Sequence, residues 1–146
     1  MFLVTGAAGF AGHAVARRLL EGGHPVRVLL RRAEQRALFA GSAAEVAIGA
    51  LEDPRAMAAA VPGVATIVHC AATSTDWAPL AEFRRSNVEG TATLLAAAAG
   101  AGVSRFVHVS TTDVYGYPRV ACDETAPLRD VGLPYNATKV AAERLV

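Results

Sequence analysis

Gly6, Gly9 and Gly12 stand between the apolar run Phe2-Leu3-Val4-Thr5 and a helical stretch that lasts to about Glu21. A strand must therefore turn within a few residues and pass the chain to a helix whose first turn is nearly bare of side chains. The first glycine permits the tight turn, and the second lets a pyrophosphate approach the backbone. The third lets the helix pack closely on the sheet with its N-terminal amides facing an anion. The spacing is GxxGxxG rather than GxGxxG. Its place after a strand and before a helix points to a phosphate-binding βα turn.

The rest of the chain repeats that alternation. Gly22-Gly23 and Pro25 end the first helix, and Val26-Arg27-Val28-Leu29-Leu30 forms a second strand. Residues 33–39 read as a helix, and residues 45–48 as a third strand. Asp53-Pro54 supplies the cap and first position of a helix to Val61. Thr66-Ile67-Val68-His69 is the fourth strand. A longer helix covers residues 79–99, bent near Gly90, and a fifth strand covers 105–109. Residues 110–133 read mostly as loop, and Pro134 opens a last helix expected to continue to Val146. Nearly all-apolar strands alternating with helices predict a parallel sheet covered on both faces. The fold class is α/β, a doubly wound Rossmann sheet of about five strands, in one domain over residues 1–146.

A net charge of +1 leaves no basic surface for nucleic acid or anionic lipid. No apolar run is long enough to span a bilayer, and no signal-peptide pattern leads the chain, so a cytoplasmic protein is expected. Cys70 and Cys122 form no CxxC or Cys/His cluster, so neither a metal site nor a disulfide framework is expected.

Lys139 is the only lysine beside thirteen arginines, and it stands four residues after Tyr135 in Tyr135-Asn136-Ala137-Thr138-Lys139. On a helix, positions i and i+4 share a face. An ammonium is a compact point charge that can sit beneath a phenol and favour the phenolate, whereas a guanidinium is a planar fork made for carboxylates and phosphates.

With TGAAGFAG at the start, HCAA at 69–72, NVEGT at 87–91, STTDVYG at 110–116 and YNATK at 135–139, the chain resembles the extended short-chain dehydrogenase/reductases of the epimerase/dehydratase type. The motifs are collinear and cover the whole chain. The resemblance implies hydride transfer between NAD(P) and a carbon bearing a hydroxyl or ketone, with Tyr135, Lys139 and Thr111 as the catalytic set. Tyr135 would give or take the proton, Thr111 would hold the substrate oxygen, and Lys139 would also hold the nicotinamide ribose. Ser110 and Thr112 are neighbouring alternatives to Thr111. Expected cofactor contacts are Gly6, Ala8, Gly9, Phe10 and Gly12 of the loop, Leu51 after the third strand, Ala71, Ala72 and Thr73 after the fourth, and Lys139.

Enzymes that use NAD usually end the second strand with an acid that accepts from the adenosine ribose. Here that position is Leu30, followed by Arg31 and Arg32, a cation pair suited to a 2′-phosphate. NADP is therefore expected rather than NAD. Relatives often carry an acid after the third strand; in Gly49-Ala50-Leu51 it is missing, with Glu52 or Asp53 as substitutes.

The resemblance also gives Asn87 a structural role, bonding backbone near the site. His69 and His108 sit in apolar strands and read as core histidines with one hydrogen bond each. Asp76-Trp77 falls where the family places substrate-facing loops, and Trp77 is either a ring platform or a cover for the sheet edge. Asp113 aligns with an acid–base glutamate of the dehydratases, but its partner aspartate is Thr112 here, which weakens a dehydratase reading. The Arg pair and the loop ending in Asp76-Trp77 look more like the 3β-hydroxysteroid and dihydroflavonol reductases. Asn136-Ala137-Thr138 has the form of a glycosylation acceptor but lies inside the catalytic helix.

Family members run to about twice this length, so the resemblance implies that the later strands and the C-terminal substrate lobe are missing. The fifth strand is then an open edge, inviting a homodimer or the missing half. The substrate would be a small hydroxy or keto compound, such as a nucleotide sugar or a steroid-like molecule. The competing reading is a non-catalytic module that binds the dinucleotide without turnover.

Overall fold

A computed structural model describes residues 1–75 and 77–146. Strands β1 (Phe2–Thr5), β2 (Val26–Leu30), β3 (Glu45–Ile48), β4 (Thr66–His69) and β5 (Arg105–His108) form one parallel sheet in the order β3-β2-β1-β4-β5. The chain moves outward from β1 to β3, then crosses back to place β4 on the other side of β1. The strand order thus reverses between β1 and β4, and a crevice opens at their carboxyl ends.

Period-two alternation sends neighbouring residues to opposite faces. Leu3, Leu29 and Ile67 join Met57 of α2 (Pro54–Ala60) and Leu94 and Ala98 of α4 (Gly90–Gly100) on one face. Val4, Val28 and Leu30 join Ala16 of α1 (Phe10–Glu21) and Phe39 on the other. Burying each large aliphatic side chain contributes about 1.5–3 kcal/mol. This two-sided core makes the strands read as unbroken apolar runs. Among the described residues no helix is long and apolar enough to cross a membrane.

Several elements differ from the sequence reading. Residues Ala33–Phe39 wind as a 3₁₀ helix. Its rise of about 2 Å per residue carries a short connection further than an α-helix would and delivers Phe39 to the core. The expected helix over 79–99 is three consecutive segments: α3 (Leu80–Phe83), a π-helical stretch Arg84–Glu89, and α4. The Thr91 and Thr93 hydroxyls donate back to the Asn87 and Glu89 carbonyls, a competition that distorts helices. Gly90 follows at once; a Cβ there would meet the Leu51 side chain at 2.8 Å.

The fifth strand ends at His108, and a 3₁₀ turn (Thr112–Tyr115) interrupts the expected loop. Helix α5 (Pro134–Glu143) stops before Val146, because the Leu145 N–H reaches the Ala142 carbonyl and tightens the last turn. Helix α5 packs on α3, the π stretch and the 3₁₀ turn. Asp53 caps α2 by accepting from the Arg55 N–H, with Pro54 in the first turn.

Candidate functional site

The β1–α1 turn is built as the glycines require. Gly6 has φ +66, and a Cβ on it would meet the Ala71 backbone nitrogen at 2.7 Å. A Cβ on Gly12 would lie 2.3 Å from the Gly6 carbonyl oxygen, so only a bare residue lets α1 start against the strand end. The Gly9 N–H donates to the Gly6 carbonyl, and the Gly9 carbonyl accepts from the His13 N–H. No side chain caps this helix, so its first amides remain free for an anion.

That turn forms one wall of a cleft of about 490 Å³ at the β1/β4 switch point. Of the expected cofactor contacts, Gly6, Ala8, Gly9, Phe10, Gly12, Arg31, Leu51, Ala71, Ala72 and Thr73 all line it. Phe10 is 97% exposed at its mouth. The uncapped amides at the head of α1, beside the bare Gly9, where a Cβ would meet only the Gly6 carbonyl at 3.3 Å, fit a dinucleotide phosphate.

Two expected contacts do not line this cleft. Arg32 turns outward and pairs with Glu34 at 3.2 Å, because consecutive residues leaving a strand point to opposite sides. Arg31 alone reaches the cleft, and Glu52 engages it at 3.9 Å. Glu52 lines the cleft, whereas Asp53 is committed to its helix cap. Lys139 lies behind the wall, only 2% exposed. Its charge acts on Cys70, which does line the cleft.

Sequence reasoning missed Arg85 and Ser86. The Arg85 guanidinium shares Glu52 at 3.7 Å, and Ser86 lines the cleft. The π stretch turns these positions toward the site, and nothing in the amino-acid pattern announces it.

The three catalytic candidates gather at the carboxyl end of β5. Thr111 caps the 3₁₀ turn by accepting from the Asp113 N–H, and its hydroxyl neighbours the Tyr135 phenol. Ser110 is turned away onto Glu143 of α5, and Thr112 is exposed. Lys139 Nζ donates to the Val109 carbonyl at 2.8 Å and lies 3.2 Å from His108 Nε2.

The electrostatics differ from expectation. Burial pushes the Tyr135 phenol above its usual value; the Thr111 hydroxyl pulls it down and the Asp113 carboxylate pushes it up. The Lys139 ammonium, for its part, donates to the Val109 carbonyl. Burial also lowers the Lys139 pKa, against the raising charges of Glu143 and Cys70.

A buried polar chain ties these parts together. The Ala71 N–H donates to Thr5 Oγ1 at 3.3 Å, and Thr5 Oγ1 lies 2.7 Å from His69 Nδ1. His69 Nε2 lies 2.9 Å from Thr91 Oγ1, whose proton is given to the Asn87 carbonyl. Thr91 must then accept from His69 Nε2–H, which leaves Nδ1 to accept from Thr5. His69 therefore makes two hydrogen bonds, not the single one expected. Burial, followed by the charges of His108 and Lys139, drives its pKa down to about 3.

The Asn87 amide accepts from the Thr73 N–H and donates to the Thr73 carbonyl, and it also donates to Thr138 of α5. Asn87 thereby fastens the 71–73 segment to the helix bearing Tyr135 and Lys139. Asn136 is 2% exposed, with its amide spent on Asp113, Arg129 and Val131, so it offers no glycosylation acceptor. Trp77 is 92% exposed and covers no sheet edge, while Asp76 lies outside the described residues. Beside Tyr135, a smaller cavity of about 250 Å³ is lined by Phe83, Asp113, Tyr117, Val131 and Leu133 among others. Among the described residues no group of three or more His, Cys, Asp or Glu side chains could hold a metal ion.

Comparison with known proteins agrees with this geometry. A ketoreductase of a farnesylated quinoline oxide from Stigmatella aurantiaca is 38% identical over 98% of the chain, which spans 44% of that enzyme. A 3β-hydroxysteroid dehydrogenase/isomerase from Mycobacterium tuberculosis is 40% identical over 99% of the chain, which spans 41% of it. Among solved structures, a short-chain dehydrogenase/reductase from Agrobacterium tumefaciens with bound NAD superposes with a TM-score of 0.85 at 39% identity. The match covers 99% of this chain and 43% of that one. A dTDP-glucose 4,6-dehydratase from Streptomyces venezuelae with bound NAD gives a TM-score of 0.87 at 37% identity, covering 99% and 50%. The chain thus spans about half the length of the relatives it matches. Residues 2–146 match one family throughout, and the chain belongs to the NAD dependent epimerase/dehydratase family.

Proposed function

We propose that this chain carries the cofactor cleft and proton-transferring group of an NADP(H)-dependent oxidoreductase that interconverts a hydroxyl and a ketone on a small molecule. The observation that carries the reading is the convergence of Thr111, Tyr135 and Lys139 at the end of β5, beside the cleft end marked by Cys70. The bound cofactor would supply or accept the hydride. Thr111 would orient the substrate oxygen through its hydroxyl, and Tyr135 would deliver or remove the proton on that oxygen. Lys139 would hold the nicotinamide ribose. Burial keeps the Tyr135 phenol protonated, the form that gives a proton to a ketone oxygen. The cavity beside Tyr135, where Phe83, Val131 and Leu133 stand with the Asp113 carboxylate, supports a small keto compound without negative charge as substrate.

The preference for NADP rests on Leu30, which leaves no acid at the end of β2, and on Arg31 at the cleft. A 2′-phosphate would compete with Glu52 for that guanidinium and gain a charge-assisted contact. The reading includes a cytoplasmic protein whose open β5 edge, with Val107 and Val109 part-exposed, meets a second copy or further polypeptide.

The test is reduction of a panel of ketones, steroid-like compounds and nucleotide sugars with NADPH or NADH. Replacing Tyr135 by Phe is expected to lower turnover about 10²–10⁴-fold, the usual contribution of a positioned proton donor, while nucleotide affinity is kept. Nucleotide binding without turnover by the wild type on any substrate would favour the non-catalytic module.

A further inference from the structure

We propose that His108 is a positioning residue for Lys139, accepting a hydrogen bond from the ammonium through Nε2 while carrying its own proton on Nδ1. The inference builds on the reading of Lys139 as the cation that meets the cofactor ribose.

An ammonium has three N–H donors and no acceptor. One goes to the Val109 carbonyl at 2.8 Å, and a second faces His108 Nε2 at 3.2 Å. The third, with no acceptor among the described residues, is the one left for a hydroxyl at the Cys70 end of the cleft. Lysine has a flexible four-carbon stem, and two fixed acceptors on consecutive residues, His108 at the end of β5 and Val109 just after it, restrict where its nitrogen can sit. Because Nε2 accepts, the imidazole proton must reside on Nδ1. His108 Nδ1 is buried and has no partner. A buried donor left unpaired is costly and calls for a reason. Here the reason is that the opposite tautomer would aim an N–H at the ammonium.

The neighbouring groups agree. His108 faces Lys139 and Glu143 from α5, and its ring lies 5.4 Å from His69 on β4. Burial and the Lys139 charge press the imidazole toward its neutral form, to about 4, although Glu143 acts against them. His69 is held as the Nε2–H tautomer by Thr5 and Thr91. The two adjacent rings therefore carry their protons on opposite nitrogens.

Side-chain nitrogen-15 NMR of the labelled chain at neutral pH reads both rings in one spectrum. The expected result is neutral Nδ1–H for His108 and neutral Nε2–H for His69. An Nε2–H or doubly protonated His108 would overturn the proposal. In Lys139→Met, His108 should switch to Nε2–H, and retention of Nδ1–H would also count against it. For function, His108→Leu should weaken nucleotide binding about tenfold, while His108→Gln, whose amide oxygen reaches the Nε2 position, should stay within about twofold of wild type. Equal weakening by both variants would leave only a packing role and overturn the proposal. Should Lys139→Met leave nucleotide affinity unchanged, the fault lies with the cofactor reading, and the tautomer alone then decides the His108 contact.

Discussion

Tyr135 and Lys139 share a helix face, yet the structure gives them different neighbours. The phenol meets Thr111 and Asp113, and the ammonium meets the Val109 carbonyl and His108. The spacing of the pair was legible because helix periodicity alone dictates it. The partners were not, because they come from the end of β5 and the turn that follows it, more than twenty residues away in sequence. Position relative to Val114-Tyr115-Gly116 favoured Thr111 over its neighbours Ser110 and Thr112, and the structure puts Thr111 at the cap of the 3₁₀ turn and Ser110 on Glu143. Arg31 and Arg32 were read as equals, but leaving a strand separates neighbours to opposite sides. At this scale Thr111→Ala should lower kcat/KM about 10–100-fold, the worth of a hydrogen bond of 1.5–3 kcal/mol to a charge-bearing oxygen. Thr111→Ser should retain most activity, and steady-state kinetics on the best ketone substrate would show whether the hydroxyl itself matters.

The strands and α2 were legible as elements, since runs buried on both faces and an Asp-Pro cap are local signals. What escaped was helix type. The 3₁₀ segment at Ala33–Phe39 and the π stretch at Arg84–Glu89 arise from distances the chain must span and from hydroxyls bonding back to carbonyls. The π stretch matters to the site because it presents Ser86 to the cleft and Asn87 to the 71–73 segment. The β1–α1 turn gives the sharpest test between elements. Gly12→Ala puts a carbon against the Gly6 carbonyl, where neither backbone can yield without separating helix from sheet. Urea denaturation should show a loss of about 1–3 kcal/mol, and nucleotide binding should weaken with it. An unchanged midpoint would mean that α1 does not start where described.

On the scale of the whole molecule, the order β3-β2-β1-β4-β5 fixes a crevice, and ten of the expected cofactor contacts line it although they come from four separate parts of the chain. The same sheet buries two histidines in neutral form, His69 at about 3 and His108 at about 4. Their folded pKa values lie below the unfolded 6.5, so below that pH the unfolded chain binds protons that the fold refuses. Stability is then fully present above about pH 6.5 and falls as the pH drops toward 4. His69, deeply buried, contributes a slope of about 1.4 kcal/mol per pH unit, and His108 adds to it. Urea midpoints between about pH 6.5 and pH 5, above the carboxylate range, should decline with acid, and His69→Gln should flatten the decline.

The claim on which the account turns is spatial: the diphosphate lies on the first turn of α1 and the nicotinamide end at Tyr135 and Lys139. A crystal structure of the chain grown with oxidised NADP tests it directly. The account predicts phosphate oxygens on the amides at the head of α1, the 2′-phosphate at Arg31, and a ribose hydroxyl on Lys139 Nζ. A cofactor bound with its nicotinamide end away from Tyr135, or held outside this cleft, would contradict it.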